Sequence, residues 1–246
     1  MKIRKVIENH HAVFGIIFIV GFIIRSYGLS EQPPLEDEAA AASAATNYIK
    51  TGIFGQVMWY HPPLRNIVVF LSGGLFGGYT AWGLRSGSVI FGSFTVLLLG
   101  YLTYSLFRNR FISYLASLFL CIDPLHISVS RQAFQEAITP FFIISGVLMT
   151  YHGIRKDKII YCFLSGIFFG IASASKWHGL FPWAVSAAAY LAAPWMIKDY
   201  KGDRHIVIRS LNTASAFVII PITVYIASYM PWLNRGNSIG EFVNLQ

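Results

Sequence analysis

Residues 66–82, NIVVFLSGGLFGGYTAW, decide how the whole chain is threaded through a membrane. The segment is apolar and rich in glycine, so its composition alone would allow it to span a bilayer. If it spanned, the three later basic clusters (Arg108 with Arg110, residues 155–158 and residues 198–209) would all face outside. That arrangement violates the rule that short cytoplasmic loops carry the lysines and arginines. We therefore expect a juxtamembrane helix here, whose glycines permit close packing.

The composition is that of a helical membrane protein. Of the 246 residues, 55% are hydrophobic and 12% are charged, whereas soluble domains carry roughly 25% charged residues. The net charge of +8 comes from short basic clusters between apolar runs, a pattern that orients membrane proteins and that is not typical of a nucleic-acid surface. Cys121 and Cys162 lie inside apolar runs and indicate neither a disulfide nor a metal framework. We expect no nucleic-acid partner and no metal.

The other apolar runs predict an all-α fold, a polytopic helical membrane protein. The basic residues at positions 2–5 place the N-terminus in the cytoplasm, and we interpret the first run as an uncleaved span. About seven transmembrane helices are expected, over residues 12–24, 86–106, 111–126, 133–151, 159–175, 179–197 and 206–229. Juxtamembrane helices are expected in a first external loop at 26–85, and a further external region from 231 to 246.

An acidic stretch, PPLEDE at residues 33–38, follows the first predicted span. Charges beside a span are costly to place and usually functional. Asp37 or Glu38 is the candidate base that removes a proton from an acceptor hydroxyl. The structural alternative is that these carboxylates oppose the dipole of the alanine-rich helix predicted at 39–50.

With this threading, the side chains capable of chemistry fall on the external side. Acids beside bases at a membrane surface suit transfer from a phosphate-linked lipid, because arginine and lysine bind phosphate. The candidate phosphate ligands are Arg85, Arg131 and Lys176, each with an alternative role as an interfacial anchor. His61 and His178 are candidates for the site or for structural roles, and Asp123 either takes part or caps the next turn.

Six short motifs, taken in order, resemble a known family. They are Asp37-Glu38, HPPL at 61–64, Arg85-Ser86, Ser130-Arg131, KWHGLF at 176–181 and SYMPW at 228–232. This order resembles the protein O-mannosyltransferase family and its bacterial relatives, in the GT-C class of polyprenyl-phosphate-sugar glycosyltransferases. The resemblance covers essentially the whole chain.

The resemblance implies an inverting transferase that needs no metal or other cofactor. Its donor would be a sugar, typically mannose, on a dolichyl- or polyprenyl-phosphate carrier, and its acceptor a Ser or Thr hydroxyl of an exported protein. Asp37 would be the base and Glu38 its support. The donor side would comprise Arg85, Arg131, Lys176 and His61. Candidates for the acceptor side or for support are Asp123, Glu136, His178 and Trp177; Glu136 follows the loop where relatives often carry an acid.

Family members are longer, with further spans and often an external domain. We therefore expect this chain to be a fragment, a truncated gene product, or an N-terminal module with a partner chain. A non-catalytic subunit that binds the lipid carrier or a partner is one alternative. A lipid or cell-wall glycan acceptor is another. A transporter is disfavoured because it would place ionisable residues near the bilayer midplane within a repeat. The short loops favour a bacterial or archaeal plasma membrane over the endoplasmic reticulum.

Overall fold

The computed structural model describes residues 10–33, 35–51, 62–197, 200, 205–234 and 236–245. All regular elements in these ranges are helical, as predicted. They are α1 His10–Ser26, α2 Glu36–Thr51, α3 Leu64–Leu75, α4 Ala81–Phe107, α5 Arg110–Ile122, α6 Pro124–Ser130, α7 Gln135–Lys156, α8 Ile159–Ser175, α9 Leu180–Met196, α10 Ile206–Ala214, α11 Ile220–Ser228, α12 Met230–Leu233 and α13 Ile239–Leu245. A 3-10 turn, Trp177–Gly179, precedes α9, and a π-helical segment, Ser215–Ile219, joins α10 to α11.

Three of these helices are long and apolar enough to cross a membrane. They are α4 with 27 residues, α7 with 22 residues, and the continuous helix Ile206–Ser228 with 23 residues. The pair α5 and α6 passes the same test together, bent by 59°. The other predicted runs also coincide with helices, while the total of seven spans stays a prediction.

The helix predicted to lie along the membrane is short. At about 1.5 Å per residue, the 12 residues of α3 reach about 18 Å, well below the roughly 30 Å of a hydrocarbon core. Two turn glycines with positive φ, Gly77 and Gly78, separate it from α4. This length fits a juxtamembrane helix.

The predicted run at 111–126 is broken by its own sequence. Proline cannot donate a backbone hydrogen bond but suits the first turn of a helix, so α5 ends at Ile122 and Pro124 opens α6. The Asp123 carboxylate between them caps α6 by accepting from the backbone N–H of His126 at 2.7 Å. The capping alternative for Asp123 is therefore what the structure shows.

The chain divides into two compact units, one of residues 1–57 with 65–141 and one of residues 58–64 with 142–246. Helix α7 contributes residues 135–141 to the first and residues 142–156 to the second. The expectation that residues 1–246 act as one module stays a prediction.

Small residues set the packing of the first unit. A Cβ added at Gly100 of α4 would lie 2.2 Å from Ser117 Oγ and 2.3 Å from Phe14 Cε1. Ser117 in turn donates to the Val96 carbonyl at 3.0 Å. The absence of a side chain at position 100 is what lets α1 and α5 approach α4.

The second unit has its core around Phe169, Tyr190 and Phe217. Gly166 of α8 packs directly on the π-helical segment, since an added Cβ would lie 1.9 Å from the Ala216 carbonyl oxygen. Within that segment the Phe217 carbonyl accepts a hydrogen bond from the Trp183 indole N–H at 2.6 Å. The π-helical segment, a local departure from the α-helix, thus offers a backbone carbonyl as a hydrogen-bond acceptor to α9.

Candidate active site at the start of the acidic helix

The three predicted carboxylates occupy the first turn of α2. The Glu38 carboxylate reaches back and accepts from the backbone N–H of Leu35 at 3.1 Å, which satisfies a donor at the helix start. Acidic side chains there also oppose the helix dipole. Glu38 therefore stabilises the start of α2, as the structural alternative predicts. It also makes contacts outside this helix.

Glu38 forms a buried, two-pronged ion pair with Arg85 of α4. Arg85 Nε lies 2.8 Å from Glu38 Oε1, and Arg85 Nη2 lies 2.7 Å from Glu38 Oε2. The two side chains are 5% and 2% exposed, respectively. This fork-to-fork geometry is the strongest form of a carboxylate–guanidinium contact.

The rest of the Arg85 guanidinium binds the loop before α2. Its remaining N–H groups donate to the carbonyls of Leu29 at 2.7 Å, Gln32 at 3.1 Å and Pro33 at 3.1 Å. A guanidinium has five N–H donors, and in Arg85 all five are used within the protein. A direct contact with a lipid phosphate, as the sequence predicts, would require this network to open.

Glu38 also connects α2 to the start of α7. Its Oε1 atom accepts from the backbone N–H of Ala133 at 2.7 Å. Burial tends to raise the pKa of Glu38, but the hydrogen bonds from Arg85, Ala133 and Leu35 outweigh it and hold the pKa below its usual value. Glu38 is thus an ionised structural group rather than an available base.

Asp37, one residue earlier, has the opposite environment. It is exposed, and within the described part of the chain no hydrogen bond or ion pair engages its carboxylate. Arg65 on the first turn of α3 and Glu136 on the first turn of α7 belong to the same cluster, because Arg65 lies within electrostatic range of both carboxylates. Asp37 therefore remains available to a substrate, as does the exposed Glu36 on the same turn, and of these two it is Asp37 whose charge acts on Arg65.

Arg131 is used structurally at the end of α1. It is half-buried, and its guanidinium donates to the carbonyls of Ile24 at 3.1 Å, of Tyr27, and of Gly28 at 3.4 Å. These carbonyls close a helix C-terminus, where a cation is favourable. Like Arg85, it holds the loop between α1 and α2 in place.

In the second unit, the predicted residues surround the end of α8. Lys176 follows its last residue and is half-buried, while His178 is exposed. The Trp177 indole N–H donates to the Tyr225 hydroxyl at 3.2 Å. Among the described residues no three His, Cys, Asp or Glu side chains converge as metal ligands would.

A cavity of about 360 Å³ opens beside these residues. Its lining is almost entirely apolar and comes from α8, the 3-10 turn, α9 and α11, namely Ser173, Trp177, Leu180, Trp183, Pro221, Ile222 and Tyr225. Ser173 is 2% exposed, and its hydroxyl has no hydrogen-bond partner among the described residues. The size and lining suit a hydrocarbon chain.

His61 lies outside the described residues, so its predicted role stays a prediction.

Sequence reasoning identifies most residues of both groups but misses two features, Arg65 and the loop carbonyls that bind Arg85. Arg65, directly after the HPPL motif, was not singled out, because only the packing of α3 on α2 brings it near Asp37. The loop carbonyls that bind Arg85 leave no side-chain signal at all.

The family model of dolichyl-phosphate-mannose-protein mannosyltransferases matches residues 15–234. The polyprenol-phosphate-mannose–protein mannosyltransferase of Corynebacterium glutamicum is 24% identical in an alignment 270 positions long, which covers 92% of this chain and 51% of the relative. The relative of the same name from Mycobacterium tuberculosis is 25% identical in an alignment 265 positions long, which covers 92% of this chain and 50% of that relative. The chain thus spans about half the length of these relatives.

Two solved structures share the fold. The S. cerevisiae protein O-mannosyltransferase Pmt1-Pmt2 complex, bound to the sugar donor, superposes with a TM-score of 0.77 at 20% identity, over 89% of this chain and 33% of that one. The apo oligosaccharyltransferase of Archaeoglobus fulgidus gives a TM-score of 0.66 at 16% identity, over 91% and 29%. The predicted GT-C-like membrane fold is confirmed.

Proposed function

Because the chain belongs to the family of dolichyl-phosphate-mannose-protein mannosyltransferases, we propose that it transfers mannose from a polyprenyl-phosphate carrier to a hydroxyl of a Ser or Thr in an exported protein. The family membership supports the reaction class and the donor. The observation that carries the site assignment is the pairing of an exposed Asp37 with a neighbouring Glu38 locked to Arg85.

In the proposed reaction, Asp37 is the general base. The acceptor oxygen attacks the sugar C1 from the face opposite the phosphate, while the acceptor proton passes to the Asp37 carboxylate. The bond between C1 and the phosphate oxygen breaks, and its electron pair stays on the departing polyprenyl phosphate. The sugar is therefore transferred with inversion, and the proton and leaving group are both accounted for.

Glu38 and Arg85 position the base in this proposal. Their ion pair joins α2 to α4, and the Arg85 bonds to Leu29, Gln32 and Pro33 fix the loop that leads into α2. A catalytic group must be held within a fraction of an ångström to be effective. The buried pair supplies that rigidity without contacting the reacting atoms.

Taken by itself, the apolar cavity of the second unit is proposed to hold a polyprenyl chain. The cavity lies among exposed apolar side chains, including Leu180 and Ile222, so a hydrocarbon can reach it from the bilayer. Lys176 and His178, next to its Trp177 wall, stay proposed as donor-side and supporting residues.

The function is tested by a transfer assay with the purified chain in lipid nanodiscs. Polyprenyl-phosphate-[³H]mannose and a Ser/Thr-rich peptide are supplied, and label on the peptide is measured. Transfer that depends on both substrates supports the proposal. Donor binding without any transfer, even on adding the C-terminal half of a relative, would favour the non-catalytic alternative.

A further inference from the structure

Three arginines of the first unit have their guanidinium groups committed to the protein itself. Arg85 is bound by Glu38 and three carbonyls. Arg131 is bound by the carbonyls at the end of α1. Arg25, fully buried, donates to the carbonyls of Gly21 at 3.0 Å and Leu120 at 3.1 Å. None of the three has its fork of donors directed at a substrate.

Arg65 differs from all three. It is half-buried, and it makes no hydrogen bond or contact ion pair with any residue the structure describes. The carboxylates of Asp37 and Glu136 lie within electrostatic range of it. With respect to the described residues, the donors of this guanidinium are not taken up by a protein acceptor, while the carboxylates of the acidic cluster act on its charge.

The surrounding helices hold Arg65 beside the proposed base. Ala41 and Ala45 of α2 pack with Val69 of α3 and with Ala133 in one buried apolar cluster. Ala133 also donates its backbone N–H to Glu38, which ties the start of α7 to the start of α2. The first turns of α2, α3 and α7, which carry Asp37, Arg65 and Glu136, are therefore fixed relative to one another.

We propose that Arg65 is the arginine of the first unit that binds the donor phosphate, an assignment that rests on the proposed function. The donor phosphodiester carries one negative charge, and cleavage of its bond to C1 leaves a phosphate monoester with up to two. A planar guanidinium can hold two phosphate oxygens at once. Arg65 would then stabilise the negative charge that develops on the leaving phosphate. It would do so next to Asp37, which takes the proton of the acceptor.

The test measures binding, so it does not depend on turnover. Affinities for polyprenyl phosphate and for the uncharged polyprenol are measured in nanodiscs for the wild-type chain and for Arg65→Gln, Arg65→Lys and Arg155→Gln. Losing a charged hydrogen-bond partner weakens binding by about 10- to 100-fold, so we expect that loss for Arg65→Gln with polyprenyl phosphate only. Arg65→Lys should bind several-fold more weakly than wild type. Arg155, exposed at the end of α7, serves as the matched control and should leave both affinities unchanged.

The outcomes separate this inference from the proposed function. A wild-type chain that binds neither lipid would contradict the proposed function itself. A wild-type chain that binds polyprenyl phosphate, with Arg65→Gln binding equally well, would overturn the role of Arg65. If Arg65→Gln does not fold, the affinity of Arg65→Lys for polyprenyl phosphate tests the inference instead. An affinity equal to that of the wild type would exclude a guanidinium contact with two phosphate oxygens and would overturn the inference. Competition by inorganic phosphate at millimolar concentration, with no effect of the lipid chain, would show a free-phosphate site instead and would also overturn it.

Discussion

At the scale of single residues, two adjacent carboxylates have opposite environments. Asp37 faces solvent, whereas Glu38 is buried against Arg85. Sequence reasoning selected both acids and Arg85, because charges beside a predicted span stand out. It could not say which acid was paired, since that depends on how α2 packs against α4. It also assigned Arg85 to the lipid phosphate, which stays a prediction, since the five internal hydrogen bonds of Arg85 would have to open for a direct contact.

The first prediction concerns the stability of the buried pair. Glu38→Gln leaves the Arg85 charge buried without its counter-ion, and breaking a buried pair in this way costs about 3–5 kcal/mol. We expect a comparable loss in the free energy of unfolding, measured by denaturant titration in detergent. Asp37→Asn is the matched control, since exposed substitutions change stability by about 0.5 kcal/mol or less. Equal stability of Glu38→Gln and wild type would show that the pair is not structural.

The same pair predicts how stability depends on pH. The pKa of Glu38 is lower in the folded chain than its ordinary value of 4.5, so the unfolded chain binds more protons in acid. The stability that this group contributes is complete above about pH 4.5 and is lost as the pH falls through the lowered, folded-state pKa. Thermal unfolding from pH 7 to pH 3 should therefore narrow the difference between wild type and Glu38→Gln. A difference that stays constant over this range would contradict the assignment.

At the scale of elements, helix positions follow closely from the sequence, but helix breaks do not. Apolar runs of sufficient length predict helices wherever they occur. The bend between α5 and α6 has a sequence signal in Asp123-Pro124, yet a run drawn from hydropathy alone passes straight through it. The π-helical segment Ser215–Ile219 also has a sequence signal, because Pro221 has no N–H to donate to the Phe217 carbonyl four residues earlier. That carbonyl accepts from the Trp183 indole N–H instead.

Close helix packing gives a prediction with an internal control. Gly100→Ala places a methyl group 2.2 Å from Ser117 Oγ, and overpacking of this kind typically costs about 1–3 kcal/mol. Gly15→Ala on α1 meets nothing within 4 Å and should be neutral or stabilising, because alanine favours the helix over glycine by up to about 1 kcal/mol. Melting temperatures of the two variants in the same detergent make the comparison. A Gly100→Ala variant as stable as Gly15→Ala would contradict the close contact.

The apolar cavity gives a prediction at the same scale. Leu180→Trp adds bulk to the cavity wall and should weaken polyprenyl phosphate binding by about 10-fold or more. Excluding about two methylene groups of the lipid from the cavity already costs about 1.6 kcal/mol, at about 0.8 kcal/mol each. Ile160→Trp, at an exposed apolar position elsewhere in the second unit, is the matched control. Binding measured in nanodiscs with a fluorescent polyprenyl phosphate distinguishes them. Equal affinity of both variants would place the lipid chain outside the cavity.

At the scale of the whole molecule, composition and motif order were enough to predict a helical GT-C-like membrane protein. The order of the short motifs indicated the family. Each motif is a weak signal alone and becomes specific only when all of them occur in the same order. The sequence could not provide the division into two compact units, since that reflects which helices contact one another. The predicted external side of the residues in each unit stays a prediction.

The central claim is that Asp37 is the base of a lipid-linked sugar transferase. Its most direct test compares initial rates of mannose transfer, and donor affinities, for wild type, Asp37→Asn and Glu36→Gln, an exposed carboxylate on the same turn. Loss of a general base lowers the rate about 10²- to 10⁴-fold, so we expect that fall for Asp37→Asn with donor affinity intact, and a normal rate for Glu36→Gln. Transfer by Asp37→Asn at the wild-type rate would contradict the account.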